Sequence, residues 1–182
     1  MIDSSVWQQL INRDAEDEAL SARDAAVVLD GIPSGAIALE IGAGVGRLMK
    51  RLVPPLSYVC GVDVSPEFVR LSLEYLPSVR TSVLLGDGCI LPYFDGSFDF
   101  VYSVETFFSM TQKEVRSNLH EAYRVLLPGG TLRVQMVPFC PAGWARSEAG
   151  FVDEVLLAGF EITRIARGLL HDKDFWVTAR RT

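Results

Sequence analysis

The run Glu40-Ile41-Gly42-Ala43-Gly44-Val45-Gly46 places a carboxylate ahead of three alternate glycines, and Asp63 stands at the end of the next apolar stretch. Glycines in such a turn let the backbone adopt positive φ and let a ligand approach where a Cβ would collide. An acidic residue about 20 positions further on suits the hydroxyls of a ribose. Together these features read as a nucleoside pocket. The third glycine is Gly46, whereas the dinucleotide fingerprint needs one where Arg47 stands, which weakens a nicotinamide-binding reading. A pyrophosphate wants helix N-terminal amides without a carboxylate such as Glu40 just upstream, so the turn suits a cationic ligand better.

The elements that must hold these residues follow from periodicity and punctuation. After a short segment around Trp7 and Leu10, Ala19, Ala22, Ala26 and Leu29 at helical spacing predict a helix over residues 14–30, stopped by Gly31 and Pro33. Strands are predicted over 36–41, 58–62, 81–85, 98–102 and 131–137. Helices are predicted over 45–52, from Ser65-Pro66 to Tyr75, from the capping box of Thr111 and Glu114 to near Leu127, and from Ser147 to Ala158. Pro128-Gly129-Gly130 is expected to break the helix that starts at Thr111 before the strand over 131–137, and Gly159 ends the last helix.

Strands separated by helices imply a parallel sheet with right-handed crossovers. The final two strands, 161–166 and 174–179, lie too close together for a helical crossover and are expected to run antiparallel. In an open α/β sheet the ligand sits beyond the carboxyl ends of the strands, and Glu40, Gly42, Gly44, Asp63, Asp87 and Glu105 all fall there.

On these residues the chain resembles the class I S-adenosylmethionine-dependent methyltransferases, in particular their type 11 small-molecule branch. Glu40 to Gly46 is similar to that family's first motif, E/D-x-G-x-G-x-G, and Val62-Asp63-Val64-Ser65 to its second. Gly86-Asp87-Gly88 resembles the third, and Val125 to Gly130 the break before its fifth strand. The resemblance implies a Rossmann-like, doubly wound α/β fold: seven strands, mostly parallel, in the order 3-2-1-4-5-7-6 with an antiparallel last strand. Residues 1–182 would form one domain, 1–33 a helical segment and 34–182 the sheet core.

The implied cofactor is S-adenosyl-L-methionine, with S-adenosyl-L-homocysteine as product. Glu40, Gly42, Ala43, Gly44 and Gly46 would wrap its amino-acid portion, and Asp63, beside Val64, would accept from both ribose hydroxyls. Asp87 would bond the adenine amine while Gly88, Cys89 and Ile90 pack near the ring. Ser103, at the end of the fourth strand, joins this set. The implied reaction is in-line displacement onto a small-molecule acceptor. Glu105 is the candidate base and a candidate substrate contact, with Phe107, Phe108 and Trp144 as further substrate-wall candidates and Met110 beside them. His120, inside a helix, and His171, between the last two strands, read as structural, with His171 expected to lie away from the cofactor.

Composition bounds the alternatives. The 182 residues, 49% hydrophobic and 22% charged, fit a single α/β unit. The net charge of −6 lacks the positive field that nucleic-acid binding uses. Ser103-Val104-Glu105-Thr106 stands where DNA amino-methylating enzymes carry an Asn/Asp-Pro-Pro-aromatic turn, and Cys140 lacks the companion Pro-Cys of RNA cytosine methyltransferases. Nucleic acid is therefore disfavoured. Cys60, Cys89 and Cys140 have neither disulfide nor zinc spacing, and no metal is implied. No run reaches the roughly 18 apolar residues of a membrane span, and no secretory leader is seen, so a cytoplasmic protein is expected. The substrate wall is expected from the segment with Trp7, residues 105–110, residues 138–146 or a second subunit, so a homodimer is compatible with the sequence. The rival reading is a noncatalytic cofactor-binding or adaptor protein.

Overall fold

Alternate side chains of the central strands point into two separate apolar layers, one on each face of a seven-stranded sheet. The computed structural model describes residues 18–137 and 147–182; Trp7, Leu10, Cys140, Trp144 and the start of the first expected helix lie outside them. In chain order the elements are α1 (Glu18–Leu29), β1 (Ile37–Ile41), α2 (Arg47–Leu52), β2 (Tyr58–Asp63), α3 (Pro66–Tyr75) and β3 (Thr81–Leu85). There follow β4 (Phe98–Ser103), a 3₁₀ turn (Phe107–Ser109), α4 (Gln112–Val125), β5 (Leu126–Met136), α5 (Glu148–Leu157), β6 (Phe160–Arg167) and β7 (Phe175–Arg181).

The sheet order is β3-β2-β1-β4-β5-β7-β6. Strands β1 to β5 pair in parallel, and β7 is antiparallel to both β5 and β6, as the short connection required. Leu39, Ile41 and Val101 face a core built with α4 and α5 through Val115, Leu119, Phe151 and Val155. Ala38, Phe100, Tyr102 and Trp176 face the other, built with α1 and α2 through Val28, Leu48, Met49 and Leu52. Burial of both sheet faces is what makes the strands read as nearly continuous apolar runs.

The capping chemistry acts locally. Ser65 Oγ accepts from the Phe68 amide at 3.3 Å with Pro66 at the first helical position, Thr111 and Glu114 form the reciprocal box, and Ser147 accepts from Gly150. Two expectations change. In α1 the buried side chains are Ala25 and Val28, while Ala22 and Ala26 face solvent; alanine is too small and frequent to mark which face packs. Pro128-Gly129-Gly130 does not separate helix from strand. Helix α4 already ends at Val125 and β5 starts at Leu126, so the three residues form a bulge inside the strand, with Leu126 opposite Phe98 and Thr131 opposite Phe100. Among the described residues, no helix is long and apolar enough to cross a membrane.

Candidate functional site

Strand order reverses between β1 and β4, and the glycine turn sits at that switch point. The Gly42 and Ala43 amides both donate to Val62 O, at 2.9 and 3.0 Å, which folds the turn down over the end of β2. Gly42, Gly44 and Gly46 all have positive φ, at 78°, 55° and 85°. Their surroundings differ. A Cβ on Gly42 would come 2.2 Å from the Thr106 methyl, and one on Gly46 would come 2.5 Å from Leu76, whereas one on Gly44 would meet nothing within 4 Å. Packing thus accounts for two of the glycines, while Gly44 faces open space.

Asp63 closes the turn from below. Its Oδ2 accepts from the Gly44 amide at 2.8 Å and its Oδ1 from the Ser65 amide at 2.9 Å. An ionised carboxylate offers about four lone-pair sites, so each oxygen keeps capacity for a further donor. Asp87 makes a similar local turn, Oδ1 accepting from the Cys89 and Ile90 amides at 2.8 Å each; the Ile90 and Cys89 amides hold its carboxyl below the usual range.

Between these acids lies an open crevice of about 210 Å³, whose walls include Gly42, Asp63, Val64, Cys89, Thr106 and Asn118. Helix α4 supplies the clamp that shapes it. Asn118, 2% exposed, donates to Gly88 O at 2.8 Å, and Ser117 Oγ donates to Cys89 O at 2.8 Å. Neither these nor Glu114, which also faces the crevice, were singled out from the sequence as site residues, whereas Thr106 and Ser109, on the same crevice, lie in the 105–110 stretch expected to supply substrate wall. A signal existed for Asn118, a polar residue interrupting the apolar stripe of Val115, Leu119 and Ala122, but its partner could not be read.

Other expected site residues sit elsewhere. Glu40 lies under the turn on the α1 side, buried, with Tyr102 Oη donating to its Oε2 at 3.0 Å. Burial pushes its pKa up to about 8, against the opposing pull of the Tyr102 hydrogen bond and the Arg47 charge. Ala43 is buried beside Gly61, and Ser103 is fully buried with its hydroxyl donating to Ile41 O at 2.8 Å, tying β1 to β4. Phe107 turns into the α4–α5 core, edge-on to Phe151, while Phe108 is half-buried. Trp144 lies outside the described residues.

Glu105 has left the sheet with φ 52°, the one non-glycine positive φ among the described residues. Its Oε1 lies 2.9 Å from His171 Nε2. His171 thus lies beside Glu105: the β6–β7 loop rises at the same edge of the sheet, because β6 runs parallel to β1–β5 and hands over to β7 there.

With this geometry in place, comparison with known proteins is decisive for the family. Residues 39–134 match the model of a methyltransferase domain. The chain belongs to that methyltransferase-domain family. The methyltransferase domain here is 36% identical over 108 residues to 2-methyl-6-phytyl-1,4-hydroquinone methyltransferase of Synechocystis, covering 58% of this chain and 33% of that protein. It is 32% identical over 112 residues to demethylmenaquinone methyltransferase of Roseiflexus castenholzii, covering 60% and 46%. The chain thus matches less than half the length of either. The crystal structure of a SAM-dependent methyltransferase from Aquifex aeolicus superposes with a TM-score of 0.80 over all of both chains at 22% identity. The methyltransferase domain thus has the class I S-adenosylmethionine-dependent methyltransferase fold.

Proposed function

We propose that this domain binds S-adenosyl-L-methionine in the crevice and moves its methyl group to a small-molecule acceptor, releasing S-adenosyl-L-homocysteine. The observation that carries the reading is Gly44: its backbone has the φ that glycine tolerates, its Cβ position is empty, and its amide is pinned by Asp63. A turn kept bare where no protein atom needs the room fits a ligand passing over it.

The residues present fit the cofactor. The spare lone pairs of Asp63 suit ribose hydroxyls, and exposed Val64 and Ile90 beside the Asp87 turn offer apolar faces to a purine. The turn amides would take the amino-acid end, with buried Glu40, Ala43 and Ser103 holding the turn and β1 in position from beneath. When bound, the cofactor supplies a methyl carbon made electrophilic by a sulfonium. The protein then has to hold the acceptor in line with it, and orientation of that kind is worth about 7–11 kcal/mol of barrier. Half-buried Phe108 and Met110, together with Trp144, which lies outside the described residues, remain the proposed acceptor wall.

Two measurements test this. S-adenosyl-L-homocysteine at about 100 Kd should stabilise the protein by roughly 2.7 kcal/mol in thermal unfolding. Isotopically labelled donor, incubated with a panel of small molecules led by hydroquinones and quinones, the compounds in the two relatives' names, should yield labelled product. Stabilisation without transfer would favour the noncatalytic alternative, and no stabilisation would sink both.

A further inference from the structure

Glu105 and His171 are 66 residues apart in sequence, yet a single buried carboxylate holds both. Asp174, 2% exposed, accepts through Oδ2 from Gln135 Nε2 and Trp176 Nε1 at 2.9 Å and from the Leu170 amide at 3.1 Å. Its Oδ1 accepts from the Leu169 amide at 3.0 Å, and its own amide donates to His171 O at 3.1 Å. That set shapes the loop carrying the histidine. Gln135, itself 1% exposed, uses its other end, Oε1, to accept from the Glu105 amide at 2.9 Å. The left-handed backbone of Glu105 is thereby fixed with its carboxylate toward the imidazole.

Backbone strain of this kind persists where surrounding bonds over-determine it. The Glu105 and His171 side chains themselves are 51% and 55% exposed. A salt link so exposed contributes little to stability. The arrangement has the form of a carboxylate that orients a histidine for proton transfer. A carboxylate oxygen only accepts, so in the neutral imidazole Nε2 carries the hydrogen and Nδ1 keeps the lone pair that can take a proton. Thr106, the next residue, lines the crevice, so the Glu105 backbone adjoins that wall where the chain leaves β4.

We propose that His171 takes the proton of the methyl acceptor and that Glu105 is its positioning residue, which makes the acceptor a hydroxyl, amine or quinol that must lose hydrogen. The proposal rests on the methyl-transfer reading. In the step, the acceptor atom's electron pair forms the new bond to carbon, the donor's carbon–sulfur bond breaks with its pair going to sulfur, and the acceptor's proton goes to Nδ1. The imidazolium so formed is held by Glu105. The same loop carries Asp172, Lys173 and Asp174, and Arg23 of α1 reaches it by donating to Leu169 O at 2.6 Å.

Both residues are exposed, so His171→Gln and Glu105→Ala should fold as the parent does. With labelled donor and the same acceptor panel, His171→Gln should transfer label about 10²–10⁴-fold more slowly, while the thermal shift given by S-adenosyl-L-homocysteine stays that of the parent. An independent readout needs no turnover: in protein labelled with ¹⁵N-histidine, His171 should show hydrogen on Nε2 alone, and Glu105→Ala should convert it to a tautomer mixture. His120, the only other histidine and exposed on α4, serves as internal reference. An unchanged rate in His171→Gln, or hydrogen resting on Nδ1, overturns the pair while leaving methyl transfer standing. A parent protein that neither transfers label nor is stabilised by the homocysteine product overturns both.

Discussion

Asp63 carries two duties, and they separate by mutation. Because its oxygens already hold the Gly44 and Ser65 amides, Asp63→Ala should cost the ligand-free protein about 1–2 kcal/mol. It should in addition shrink the stabilisation given by S-adenosyl-L-homocysteine. Thermal melts with and without that ligand measure both, and a mutant with the parent's ligand shift would remove Asp63 from the pocket. Glu40 makes a different prediction. Its pKa rises from 4.5 to about 8 on folding, so between those values the native state keeps a proton that the unfolded chain has released. The contribution is fully present below pH 4.5 and declines as pH rises through about 8, at up to about 1.4 kcal/mol per pH unit. Glu40→Gln, which can still accept from Tyr102, should flatten that slope in denaturant titrations at pH 5, 7 and 9. Parallel curves for the two proteins would count against a buried, protonated Glu40.

At the scale of elements, the turn between β1 and α2 and the clamp from α4 make the crevice. Gly44→Ala should cost the free protein about 1–2 kcal/mol, the penalty for a Cβ in a left-handed conformation. Its effect on cofactor affinity should be much larger, tenfold or more, because the added methyl occupies the space through which we route the ligand. Calorimetric titration with S-adenosyl-L-homocysteine reads this directly, and equal affinities would show that the ligand does not pass Gly44. Gly42→Ala serves as the contrast: its Cβ would collide with Thr106, so the loss should appear as instability even without ligand.

For the molecule as a whole, Arg133 is the strap. Buried on β5, it donates to Val27 O at 3.1 Å, Val28 O at 2.6 Å and Asp30 O at 2.7 Å, and to Thr178 Oγ1 at 3.1 Å. It thus ties the carboxyl end of α1, where helix carbonyls lack partners, to the sheet. Burial pushes its pKa down from the usual arginine value. Through Asp24, which pairs with Arg47 at 3.1 Å, α1 also reaches the residue after the glycine turn. Arg133→Met should destabilise by about 2–3 kcal/mol and raise amide exchange in α1 before it does so in β1 or β4. Uniform loss of protection across the sheet would mean that α1 is not a separately anchored layer.

Much of this architecture was legible before any coordinates, because its causes are local. A serine before a proline, the Thr111–Glu114 box, glycines at positive φ and apolar runs of strand length act on neighbours within a few residues, so element order, the antiparallel ending and the Gly42–Asp63 turn could be read in a line. What distant segments do to one another could not. His171 meets Glu105, Asn118 meets Gly88, and Glu40 keeps its proton only because the sheet brings these groups to one edge or seals them from water. Burial and long-range pairing have no period in the chain; they are properties of the assembled fold.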